Sequence, residues 1–250
     1  MKDRPIVFSE MMVRPIIAGR KTQTRRLAKP QPIIDRSSGS WVVQHNGGGF
    51  KNYLYSWPLD GSVNNVFLAE QCPYGVPGDR LWVKESFWMH DDPNAFDIAD
   101  GNCVDTDGNH RMIGYAASMD SDAERCAREL GARKRPSIHM PRWASRVALE
   151  VASVRFERVQ DISEEDAIAE GAERNDSPGM TPDWEPEWGY RTLCVHYPDG
   201  CECFPNATAR DWFVDLWKRI NRKHSWRDNP WVWVVEFKAI TGAGVKENGK

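Results

Sequence analysis

Gly19-Arg20-Lys21-Thr22-Gln23-Thr24-Arg25-Arg26 is the stretch around which the rest of the chain organises itself. Four of the 33 lysines and arginines fall within the seven positions after the glycine, interleaved with two threonines. Upstream, Arg4 to Phe8 reads as a short strand and Ser9 as a helix cap, and apolar residues at helical spacing run to Gly19, a residue type suited to ending a helix. Pro15 lies inside that helical stretch, so the helix either starts late, with Pro15 in its first turn, or is kinked. In an extended segment Lys21 and Thr24 point to opposite faces, and a turn or bulge is required for them to cooperate.

Downstream, Pro77-Gly78-Asp79 is a turn signal leading into Arg80-Leu81-Trp82-Val83-Lys84-Glu85, which alternates as a half-buried strand does. Residues 146 to 159 alternate with a break, Val147, Leu149 and Val151 before it and Val154 and Phe156 after it, and are predicted as two adjacent antiparallel strands. Ser163-Glu164-Glu165-Asp166 opens a capped helix that Gly171 stops, with Glu170 in its last turn. Trp212, Phe213, Leu216, Trp217 and Ile220 predict an amphipathic helix over Thr208 to Asn221. Trp231 to Phe237, bounded by Pro230 and rich in β-branched and aromatic residues, predicts a central strand. Three irregular stretches, near 30–67, 91–136 and 172–205, read as insertions, and 241–250 as a disordered tail.

The 250 residues suffice for a sizeable core, and a formal net charge of -3 excludes a whole-surface polycation. Contact with nucleic acid must then come from a local basic patch. No apolar run is long enough to span a membrane and the N-terminus lacks the apolar stretch of a secretory signal, so a cytoplasmic protein without membrane contact is expected. The six cysteines are scattered rather than arranged as a disulfide framework. Gly47-Gly48-Gly49 lacks the lysine and the strand-to-helix context of a phosphate loop, and no cofactor is expected.

The 19–26 segment resembles the signature of the ASCH domain, a PUA-like β-barrel family, with its G-x-K-x-x-(T/E)-x-R pattern. Gly78-Asp79-Arg80-Leu81-Trp82-Val83 is similar to the strand that follows the motif, Ile162 to Gly171 to the family's short helix, and Trp231 to Phe237 to its closing strand. Together with Ser137 to Trp143 the arrangement resembles the long ASCH proteins of bacteriophages and prophages. The resemblance implies an α+β, mainly β fold: one ASCH/PUA-like barrel over 1–240, flanked by helices and carrying the three insertions.

Within that superfamily the chain is similar to the small bacterial N4-acetylcytidine amidohydrolases at Lys21, Thr24 and Glu170. That likeness implies lysine as proton acceptor, threonine as nucleophile and glutamate as proton donor in a metal-independent amide hydrolysis, releasing cytidine and a carboxylic acid. The chemistry agrees with the residue types, because a threonine hydroxyl needs a base, and a lysine serves as one when burial or neighbouring cations lower its pKa. Arg20, Arg25 and Arg26 supply the cations and are candidates for holding substrate, with Trp82 and Trp143 for stacking a base. The partner is then a modified cytidine nucleoside or RNA.

The same segment also reads as a basic loop that holds phosphates, which keeps open an RNA- or modified-base-binding module and, more remotely, a ribonuclease. Cys194, His196, Cys201 and Cys203 offer enough thiol and imidazole for a tetrahedral zinc site, although ligands two apart strain one metal's geometry, and a thiol-bearing loop is the favoured reading.

Overall fold

The computed structural model describes residues 1–29, 31–34, 41–42, 72–90, 102–104, 110–174, 208–223 and 225–240. In chain order its elements are β1 (Asp3–Val7), α1 (Glu10–Ile17), β2 (Gln23–Leu27), β3 (Ile33–Ile34), β4 (Trp41–Val42), β5 (Arg80–Lys84), β6 (Phe87–His90), β7 (Asn102–Val104), β8 (His110–Tyr115), α2 (Ser121–Glu129), β9 (Arg133–Arg135), β10 (Ala148–Arg158), α3 (Glu164–Ala169), α4 (Ala209–Ile220) and β11 (Trp231–Ile240). The fold is mixed α+β with more strand than helix, and no sheet closes into a barrel among the described residues. No helix among them is long and apolar enough to cross a membrane. The chain divides into two compact units, one of Met1–Arg20, Pro77–Ala152 and Phe237–Lys250, the other of Lys21–Val76 and Ser153–Glu236.

In the first unit β5 lies between β1, its parallel partner, and the start of β10, its antiparallel one. Leu81 and Val83 are fully buried while Arg80, Trp82 and Lys84 take the other face, as the alternation of the sequence requires. A second sheet runs in the order β7-β8-β6-β9, with every pairing antiparallel. Most of it comes from 91–136, read from sequence as an insertion: Asn, Asp and Gly in the connections hide strands of three to six residues. Helix α1 starts at Glu10, so Pro15 is not in its first turn but buried well inside it, beside Met12, Val13 and Ile16.

The second unit takes the rest of β10, β11 as far as Glu236, and β2, in that order. Strand β11 pairs antiparallel with β2 from Val232↔Leu27 to Glu236↔Gln23. Its side chains from Trp231 to Val235 are buried on both faces, which explains the unbroken apolar run of a central strand. Phe156 stacks on Trp231 at 5.1 Å and leans on Trp233 at 4.6 Å. Helix α4 is capped by Thr208, whose side chain accepts from the Asp211 amide, and buries Trp212, Phe213, Leu216 and Trp217. Ile220, expected on that apolar face, is exposed.

The break in the 146–159 pattern separates no strands. Strand β10 is continuous, and its buried positions change phase between Val151 and Val154, where it passes from the first unit into the second at Ala152/Ser153. One strand serves two cores, so a single alternation cannot run through it.

Candidate active site

Gly19 adopts φ +72, which only glycine takes without strain, and the chain from Arg20 to Thr22 follows it as irregular backbone before β2 begins at Gln23. Lys21 therefore escapes the strand alternation that would turn it away. Opposite it, α3 is capped at its start by the Ser163 side chain, which accepts from the Asp166 amide, and ends at Glu170 as Gly171 turns the backbone at φ +106. The last carbonyls of a helix have no partners within it. Here the Ala169 carbonyl accepts from the Thr22 amide at 2.9 Å and the Glu170 carbonyl accepts from Lys21 Nζ at 2.7 Å. Lys21 Nζ also donates to Glu170 Oε2 at 2.6 Å, with both side chains at most 3% exposed. A carboxylate at a helix C-terminus opposes the helix dipole, and the lysine at the same end offsets it.

Arg25 holds this helix against β2. Its Nη2 donates to Glu157 Oε1 at 2.6 Å and to Asp166 Oδ2 at 2.7 Å, its Nη1 lies 3.8 Å from Glu170 Oε1, and its side chain is fully buried. Asp166 and Glu170, four residues apart on α3, thus meet one guanidinium. Arg155 extends the network to Asp166 at 3.1 Å, to Glu157 at 3.6 Å and to Glu236, which also accepts from Ser153 Oγ at 2.6 Å. Burial alone would raise the Asp166 carboxyl, but Arg25 and then Arg155 and Ser163 hold it below the usual range. Arg25, expected on substrate, spends its Nη2 on these carboxylates.

Thr24 and Arg26 take the opposite face of β2 from Gln23 and Arg25, with Thr24 across from Val235 and Arg26 across from Trp233. Thr24 is buried, and its hydroxyl makes no hydrogen bond to any described residue. Burial pushes the Arg26 guanidinium down, opposed by the Tyr74 and Glu170 charges, and burial raises the Tyr74 phenol, opposed by Arg26. Burial also sets Lys21 below its ordinary value; Glu170 works against the shift, while Arg26 and Arg25 reinforce it. Gln23 Nε2 and Glu170 Oε1 are buried without a hydrogen-bond partner among the described residues.

No family model, curated protein or solved structure matches this chain.

The structure thus joins Lys21 to Glu170 directly and surrounds them with Arg25 and Arg26. Arg20, Trp82 and Trp143 belong to the other unit. There, the half-buried Trp82 ring lies under Lys84 Nζ at 5.5 Å and Arg142 Cζ at 5.9 Å, and Trp143 packs on the cluster of Phe87, Ile113, Tyr115, Met140 and Ala144. Cys194, His196, Cys201, Cys203 and the 241–250 tail lie outside the described residues. Sequence reasoning missed Gln23, Tyr74, Glu157 and Asp166. Only Asp166 carried a signal, one helical turn before Glu170.

Proposed function

We propose that the Lys21 and Glu170 site hydrolyses the exocyclic amide of an N4-acylated cytosine nucleoside, in the cytoplasm and on a PUA-like barrel of the ASCH type. The observation that supports this best is the 2.6 Å contact between a buried ammonium and a buried carboxylate. Burial disfavours the charge on Lys21, and the short contact lets its proton pass to Glu170, which leaves the amine and the acid that a base and a proton donor need. Lys21 then takes the Thr24 hydroxyl proton as Oγ1 attacks the acyl carbon. Arg26 shares the face of β2 that carries Thr24 and in this reading stabilises the oxyanion. The C–N bond breaks as Glu170 gives its proton to the leaving nitrogen, and water hydrolyses the acyl-threonine ester to free the carboxylic acid. All three roles fall to side chains of the chain, so the reaction as written needs no metal.

A second reading, a module that binds RNA or a modified base without turnover, draws on Arg26, a buried guanidinium on the opposite face of β2 from Arg25 and its carboxylates Glu157 and Asp166. One experiment separates the two. The full chain is incubated, with a chelator present, with N4-acetylcytidine, longer N4-acyl homologues and short RNAs containing them, and the products are resolved. Cytidine and free acid are expected; retention of intact RNA without product favours the binding module, and shortened RNA would indicate a nuclease.

A further inference from the structure

We propose that the first unit binds single-stranded nucleic acid along the edge strand β9 and the segment that follows it, independently of the chemistry at Lys21. Residues 130–149 contain Arg133, Lys134, Arg135, His139, Arg142 and Arg146 and no Asp or Glu, in a chain whose 36 acids outnumber its 33 basic residues. The fold sorts these cations into two kinds. Arg146 pairs with the buried Glu85 at 3.0 Å, Arg142 with Asp3 at 2.7 Å, and Lys134 with Glu124 at 2.8 Å and Glu10 at 3.2 Å. Those side chains hold the unit together. Arg133 and Arg135 are exposed and have no ion pair or hydrogen-bonded side chain among the described residues.

Alternation along β9 puts Arg133 and Arg135 on one face and Lys134 on the other. Their register with β6, Met89↔Arg133 and Phe87↔Arg135, places both arginines on the face that bears the Phe87 cluster. Met89 and Trp143 are the half-buried members of that face. The two guanidinium stems leave the strand about 7 Å apart, two residues along a strand. His139 is exposed just beyond them, and Ile138 is 61% exposed. A charged residue on an edge strand can serve only to discourage pairing with another strand. That role asks for no aromatic on the same face and no uncovered isoleucine beside it. Unpaired guanidinium groups for phosphates, together with a half-buried indole and aliphatic surface for bases, are what a sequence-tolerant single-strand site requires. Because most of the binding energy then comes from released counterions, affinity falls with salt.

The test is fluorescence anisotropy of labelled 15-mers, one oligo-U and one oligo-dU, with the full chain over a salt series; comparison of the two arms reads out the contribution of the sugar. The variant Arg133→Glu/Arg135→Glu leaves Lys134 and its pairs in place, and a matched thermal melt checks its fold. Loss of two phosphate contacts lowers the slope of log K against log salt by about 1.4 and weakens binding about 25-fold at 0.1 M salt. The control Arg219→Glu/Arg222→Glu makes the same charge change in the second unit, at exposed positions, and is expected to bind as the parent does. The proposal fails if the parent chain binds neither oligomer, if the β9 variant keeps the parent's affinity and slope, or if the control weakens binding equally. It fails also if an abasic oligomer binds as tightly, or if phosphatidylserine vesicles bind in its place.

Discussion

Lys21 and Glu170 stand 149 positions apart, and each is costly to bury alone. Burial, reinforced by the Arg26 and Arg25 guanidinium groups, holds the lysine's proton less firmly than on an exposed lysine, whose pKa is about 10.4. Titration of the Lys21 side chain by carbon-13 NMR is expected to show it below that value, and lower still in Glu170→Gln, which removes the main opposing charge. A Lys21 that titrates at or above the ordinary value would remove the base. The sign for stability follows: between the lowered folded pKa and the ordinary one, the unfolded chain binds a proton that the folded chain does not. Stability attributable to Lys21 therefore rises as pH is raised through that window.

Helix α3 has six residues, too few to persist by propensity. What fixes it is the Arg25 guanidinium, shared by Asp166 and Glu157, and the Ser163 cap. Arg25→Ala removes a fully buried cation from Glu157 and Asp166, which keep Arg155, and is expected to lower unfolding free energy by about 3 kcal/mol in urea titrations, the low end for a broken buried pair. Arg125→Ala, which breaks the exposed pair with Asp122 on α2, is expected to cost under about 1 kcal/mol. Similar losses from the two would mean that the network around Arg25 does not organise the site. The ends of α3 and α4 and the central place of β11 were legible in the sequence, because caps, a stopping glycine and an apolar run are local signals. Continuity of β10 was not, since its phase change at Ala152/Ser153 reflects two cores rather than a turn. Nor was the task of Arg25, whose partners Glu157 and Asp166 lie 132 and 141 residues away. The small sheet of β6 to β9 was hidden for the same reason, its strands being too short to show a period before they are paired.

At the scale of the molecule, a modest net charge of -3 conceals two groups of basic side chains with different settings, one matched by carboxylates and one not. The one in the second unit is buried around Glu170 and fits chemistry on a small group; the one on β9 is exposed and fits a polymer. The proposed reaction rests on the threonine, because Lys21 and Glu170 are joined in the structure whatever their task, whereas hydrolysis requires the Thr24 hydroxyl as nucleophile. The most direct measurement is steady-state release of cytidine from N4-acetylcytidine by the parent chain, Thr24→Ala and Arg26→Ala. Thr24→Ala is expected to lose nearly all of kcat, and Arg26→Ala to raise KM more than it lowers kcat if the guanidinium also holds substrate in the ground state. Full activity in Thr24→Ala, with nucleic-acid affinity lost in Arg26→Ala, would contradict the catalytic assignment and make the 19–26 segment a binding element.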